Sequence, residues 1–343
     1  MQRRKFLKTA AAATAPLGAA AAQVRFGIDL FSIRSQGWTP IQYLDYCAKQ
    51  KAKVVHFSEV RFIGNLEEPN LRQVRAHAEK LGIEIEIGMR SICPTSKMFE
   101  PAQGTAQEQL TRMILAAKIV GSPIVRAVLG SMADRVGPIP IEGHIENTVK
   151  VLRSVRSLAV DNGLKIAIEN HAGDMQAREL KTLIEGAGKD FVGACLDSGN
   201  PLWTLEDPHR TLETLAPFVL TSHVRDTSVW REKDRIAVQW VRMGEGNVGI
   251  REYAKRYQQL CSGRAFSLEV IVTQPRYFAY GDPHFWEAYR NTPAWEFARF
   301  LALADKGEPH APIPQAASKE EAIEREREDL EASVHFAHAE LGI

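Results

Sequence analysis

Four short apolar runs between Lys165 and Val270 constrain this chain more than anything else in it. Each ends on a side chain able to ligate a metal. Lys-Ile-Ala-Ile-Glu-Asn-His ends at Glu169, Asn170 and His171, and Phe-Val-Gly-Ala-Cys-Leu-Asp-Ser-Gly-Asn carries Asp197. Val-Leu-Thr-Ser-His-Val-Arg-Asp carries His223, and Phe-Ser-Leu-Glu-Val carries Glu269. Each run is short, β-rich and bounded by polar or turn residues, which reads as a buried strand. Helical patterns separate them, and the alternation favours a parallel sheet. Parallel strands place their C-terminal ends on one edge, so a closed sheet would gather Glu169, Asp197, His223 and Glu269 around one point. Three carboxylates there carry a formal charge of about −3, costly in a partly buried site without a cation or protons. Oxygen ligands with one imidazole suit one divalent ion, and Mn, Mg, Co and Zn all fit that set.

The remainder repeats the same unit. Strands are expected over residues 24–33, 53–60, 83–92 and 123–129. Helices are expected over 39–51, 67–81, 106–120, 141–162, 176–185, 205–215, 249–261 and 293–304. Thr39 before Pro40 is an N-cap signal, and Gly82 and Gly121 are stop signals. Eight strands alternating with eight helices predict an α/β fold, a (β/α)8 TIM barrel over residues 23–305. Residues 306–343 read as a proline-bearing linker and one long charged helix, an appendage or a subunit contact.

Side chains alternate along a strand, so i and i+2 share a face. Glu169 inward takes His171 with it, and His223 inward takes Arg225. Arg90, Arg126, His56 and Glu59, on the first four strands, are candidates for the other half of the pocket. Trp38 follows strand one, and residues 273–292 form an aromatic-rich loop; both are candidates to cover a ligand.

The order Glu, Asp, His, Glu on strands five to eight resembles the sugar phosphate isomerase/epimerase superfamily, the xylose isomerase-like barrels. Ala-Ile-Glu-Asn, Leu-Asp-Ser-Gly-Asn, Ser-His-Val-Arg-Asp and Ser-Leu-Glu-Val are similar to its motifs on those strands, and Met243-Gly-Glu-Gly to a loop after strand seven. The resemblance implies that Glu169, Asp197, His223 and Glu269 hold the metal, with Glu169 and Glu269 also transferring protons beside a carbonyl. It implies a small carbohydrate substrate contacted by residues such as His171, Asn200, Arg225, Arg90, Arg126 and Trp38. Two positions depart from the pattern: Asn200 stands where His is frequent, and Arg225 where Lys is. The implied activity is sugar isomerisation or epimerisation. Elimination from 3-keto-glycosides on the same site, and a non-catalytic sugar-binding barrel, are the alternatives.

Composition removes other classes. The chain carries 43 basic and 42 acidic residues, and Arg3, Arg4, Lys5 and Lys8 lie ahead of the barrel. The remainder is slightly acidic and offers no footprint for nucleic acid. Paired arginines followed by an Ala-rich run to Ala22 resemble a twin-arginine export signal over residues 1–22, which implies a periplasmic protein. That run is too short and Ala-rich for a stable membrane span. Cys47, Cys93, Cys195 and Cys261 are far apart, so neither a disulfide framework nor a zinc–cysteine site is expected. A homo-oligomer is compatible with all of this.

Overall fold

The computed structural model describes residues 24–343. The expected export signal lies outside the described residues. Short, fully buried runs form parallel strands because both faces must be covered, which is what continuous β-branched sequence provides. Seven follow in order: β1 (Arg25–Asp29), β2 (Val54–Phe57), β3 (Glu84–Ser91), β4 (Ile124–Val128), β5 (Lys165–Glu169), β6 (Val192–Asp197) and β7 (Val219–His223). A hairpin follows, β8 (Asp226–Glu232) and β9 (Arg235–Val241). The eighth barrel strand is β10 (Ala265–Leu268), and β11 is Arg276–Phe278.

The eight-stranded sheet runs β10-β1-β2-β3-β4-β5-β6-β7, each neighbour parallel. It closes through Val224, whose N–H donates to the Ser267 carbonyl at 2.7 Å while the Glu269 N–H donates to the Val224 carbonyl at 2.9 Å. The fold is therefore the expected (β/α)8 barrel with a C-terminal helix.

Local signals set the helix ends. Thr39 and Thr105 each form a reciprocal capping box, with Gln42 and Glu108, and Gly82 and Gly121 end their helices at φ of 66° and 83°. Strand one stops earlier than expected. The Asp29 carboxylate accepts from the Phe31 N–H at 2.6 Å and caps a 3-10 turn over Leu30–Ile33.

Two larger differences concern the top and the wall of the barrel. Between β7 and the helix Ile250–Leu260, β8 and β9 pair antiparallel and β11 adds to them, making a separate three-stranded sheet. The expected eighth barrel helix, Ala294–Ala304, packs on that sheet, with Phe300 and Ala304 in one apolar cluster with Val229, Ile236 and Phe278. The wall position over the β10–β1 seam belongs instead to the helix Lys319–Phe336. Its Leu330 and Val334 are buried in the main barrel core with Phe26 and Phe266. Ser333 accepts from the Met243 N–H at 3.1 Å, and His338 just beyond reaches the Gln50 carbonyl at 3.2 Å. The terminal helix is thus part of the barrel rather than an appendage. No helix of the described residues is long and apolar enough to cross a membrane.

Candidate metal and substrate site

The strand ends deliver what register dictates. Asp197 pairs with His223 across β6 and β7, and Glu169 sits opposite Cys195 across β5 and β6. The closing bonds through Val224 bring Glu269 alongside. One ligand atom each from Glu169, Asp197, His223 and Glu269 all lie within 4.8 Å of one another, and all four residues are buried. His223 Nδ1 lies 2.9 Å from Glu169 Oε2 and 3.1 Å from Glu269 Oε2, yet makes no hydrogen bond.

Two guanidiniums flank the cluster. Arg126 Nε donates to Glu169 Oε2 at 2.6 Å, and Arg225 Nη2 to Asp197 Oδ2 at 2.6 Å and to Glu269 Oε2. Asp197 is further held by the backbone N–H groups of Gly199 and Asn200, both 2.7 Å from Oδ1. Asn200 Nδ2 reaches Glu169 Oε1 at 3.3 Å.

The charges decide the protonation states. Burial raises Glu269, but Arg225 and His223 outweigh it and hold the carboxyl at about 2. Burial likewise raises Glu169, and Arg126 and His223 bring it well below the usual range. Asp197 goes the other way: burial pushes it up to about 7 against the pull of Arg225. Burial lowers the His223 imidazole, and the carboxylates of Asp29, Glu169 and Glu269 overcome that to raise it well above its ordinary value. Counting Asp29, four carboxylates face two guanidiniums, a formal imbalance of about −2 that protons on His223 and Asp197 relieve, or that one divalent cation would. With Nδ1 at ion-pair distance from two carboxylate oxygens, where a cation would replace the proton, the donor set fits such a cation.

Beneath the ligands, His223 Nε2 lies 2.7 Å from His56 Nδ1 and 3.1 Å from Asp29 Oδ2. His56 is therefore under the ligand cluster and not in the pocket. Burial, with the neighbouring His223 and Arg126 charges, keeps it well below its ordinary value and neutral.

Above the cluster opens a pocket of about 290 Å³. It is lined by five residues expected as substrate contacts, namely His171, Asn200, Arg225, Arg90 and Arg126, together with Glu59 and Glu269. His171 is fixed by Nδ1 against the Gly130 carbonyl at 2.7 Å. Arg90, at the rim, is exposed and pairs with Glu100. Asn200 Oδ1 and Arg225 Nε are buried there without a hydrogen-bond partner. Trp38 is a correction: it packs on Tyr43 and Tyr46 and lines a cleft with Arg327 and Glu331 of the terminal helix, away from the pocket. The aromatic loop closes over the second sheet, where Phe278 and Tyr289 are buried.

Two pocket features were missed from the sequence. Trp240, from β9, lies over Arg225 with the guanidinium 4.3 Å from the ring centroid, and stacks on Trp203 at 4.4 Å. Its signal was the alternation of the β9 run. Asp29, beneath the cluster, is the other: its register partner across β1 and β2 is His56.

A model of the xylose isomerase-like TIM barrel family matches residues 44–295, and the chain belongs to that family. The 3-oxo-isoapionate decarboxylase of Pectobacterium atrosepticum is 23% identical over 190 residues, covering 55% of this chain and 62% of that protein. The match thus spans less than two thirds of that relative's length. In three dimensions the chain resembles a D-psicose 3-epimerase crystallised in the presence of D-fructose, at 15% identity, TM-score 0.62, 93% of this chain and 100% of that one. It also resembles the 3-keto-D-glucoside 4-epimerase of E. coli, at 11% identity, TM-score 0.56, 82% of this chain and 98% of that one.

Proposed function

We propose that this protein is a divalent-metal-dependent enzyme that moves a proton next to the carbonyl of a small keto-sugar, as a sugar isomerase or epimerase. The observation that carries the proposal is the convergence of one ligand atom each from Glu169, Asp197, His223 and Glu269 within 4.8 Å of one another. The relatives support it: a D-psicose 3-epimerase, a 3-keto-D-glucoside 4-epimerase and a 3-oxo-isoapionate decarboxylase. Each of these reactions is aided by delocalising a carbanion into an adjacent carbonyl.

When bound, the cation supplies Lewis-acid polarisation of the substrate carbonyl. The chain supplies the rest. Glu169 and Glu269 are both held ionised, and both can accept a proton. One removes the proton from the carbon beside the carbonyl; the other, once it has taken a proton from solvent, delivers it to the opposite face, giving epimerisation, and the first then releases its proton to solvent. Return of the abstracted proton to the neighbouring carbon, with the hydroxyl proton passing to the former carbonyl oxygen, gives isomerisation. Arg126 and Arg225 hold the two carboxylates in position through fixed donor forks. Asn200 and Arg225 offer free polar atoms to substrate hydroxyls, and the Trp240 ring covers the Arg225 side. Export in the folded state, argued from Arg3 and Arg4, belongs to the same proposal and favours free over phosphorylated sugars.

The test is solvent-deuterium exchange into keto-sugars by the manganese-loaded protein, followed by NMR. Wild type should exchange one carbon-bound proton, and Glu269→Gln should slow this by about 10²–10⁴-fold while the fold is retained. No exchange with any keto-sugar would favour a binding protein.

A further inference from the structure

The metal-facing pocket has a neighbour. A second cavity of about 210 Å³ opens beside it, between the end of β3 and the helices Val60–Ile63 and Ala106–Val120. Glu59, Arg90 and Met98 line both cavities, so the two adjoin across these three side chains. A pocket of about 290 Å³ alone is at the small end of ligand sites, roughly 300–1,000 Å³, whereas the two cavities taken together lie within that range.

The two halves differ in chemistry. The metal-facing half presents Arg126, Arg225, His171 and Asn200. The annexe presents Val60, Leu66 and the thioethers of Met89, Met98 and Met113, three of the chain's seven methionines. Its charged groups are already engaged: Arg61 pairs with Glu59, Arg90 with Glu100, and Arg112 donates to the Gln103 carbonyl at 2.5 Å. Two of the three cations are thus neutralised by carboxylates, and only Arg112, held to a backbone carbonyl, lacks one. An apolar ring would find flexible thioethers that adjust to its shape.

We infer that the substrate is a keto-sugar carrying an apolar substituent the size of one aromatic ring, an aryl glycoside rather than a free monosaccharide, with the ring in the methionine-lined annexe. This rests on the reading of the metal-facing half as a keto-sugar site. Arg90 and Met98 stand at the junction between the two rings. Met89 ties the halves together, since its side chain walls the annexe and its carbonyl accepts from Arg126 Nη1 at 3.2 Å.

The test separates binding from chemistry. Affinities of 3-keto-glucose and of 4-nitrophenyl 3-keto-β-glucoside for the manganese-loaded protein are measured by titration calorimetry. Burial of the ring predicts that the aryl glycoside binds about tenfold tighter or more. Leu66→Trp, which fills the annexe from a half-buried position, should bring that ratio towards one, and Leu66→Ala should largely preserve it. Equal affinities in wild type, binding of neither compound, or a ratio untouched by Leu66→Trp would overturn the inference. Deuterium exchange is read separately. Its absence, with the tenfold ratio intact, would remove the proton-transfer reading and leave the annexe standing.

Discussion

His223 directs Nε2 to His56 Nδ1 at 2.7 Å, and by doing so turns Nδ1 to the carboxylates of Glu169 and Glu269. With His56 neutral and accepting on Nδ1, the proton of a metal-bound His223 sits on Nε2 and leaves Nδ1 as the donor. His56→Leu should therefore weaken manganese binding about 10–100-fold without moving any ligand residue out of place. Competition against a fluorescent chelator measures this, and an unchanged affinity would show that His56 is only packing.

Metal content follows from the same cluster. Protein purified without chelator should carry about one divalent ion per chain by mass spectrometry, and Asp197→Asn should lower that occupancy. Because the folded site binds the ion and the unfolded chain does not, manganese at 100 times its dissociation constant should add about 2.7 kcal/mol of stability. A melting temperature indifferent to added metal would count heavily against the site.

Glu206 predicts a pH dependence away from the site. It is buried, both oxygens accept from the Ala177 N–H at 2.9 and 3.0 Å, and burial pushes its pKa from 4.5 up to about 8. Between those values the folded chain keeps a proton that the unfolded chain has lost. This contribution is fully present below about 4.5 and is lost as pH rises to about 8, with a slope of at most about 1.4 kcal/mol per pH unit. Glu206→Gln, which imitates the protonated acid, should be less sensitive to that rise than wild type. Urea unfolding of both proteins at pH 5 and pH 8 gives the comparison.

Leu330 tests the terminal helix. It is fully buried in the barrel core, so Leu330→Ala should cost about 2–5 kcal/mol in urea unfolding. A loss below about 0.5 kcal/mol, the range of surface substitutions, would mean the helix is only laid against the wall.

The barrel and the meeting of Glu169, Asp197, His223 and Glu269 were legible because both rest on periodicities the chain states plainly. Each ligand closes a short apolar run, and alternation along β5 brings His171 into the pocket with Glu169, as Arg225 comes with His223. The second sheet was not legible. Its hairpin turns at Lys233, which takes φ of 55° without the glycine or asparagine that usually marks such a turn. Trp240 was lost with it. Trp38 was misplaced because β1 spans only Arg25–Asp29, and the 3-10 turn after it leads the chain away from the pocket. The helix Ala294–Ala304 follows the last barrel strand in sequence, and nothing in its pattern says that Lys319–Phe336 takes the wall instead.

That exchange of places bears on how the molecule is made. The earliest barrel strand and the latest helix cover one another, with Phe26 against His338 at 4.7 Å between ring centroids. A chain still emerging from the ribosome could pair all eight strands and yet leave a greasy slit down one side, open to aggregation or to a chaperone. Docking of the helix Lys319–Phe336 is then the event that seals the molecule.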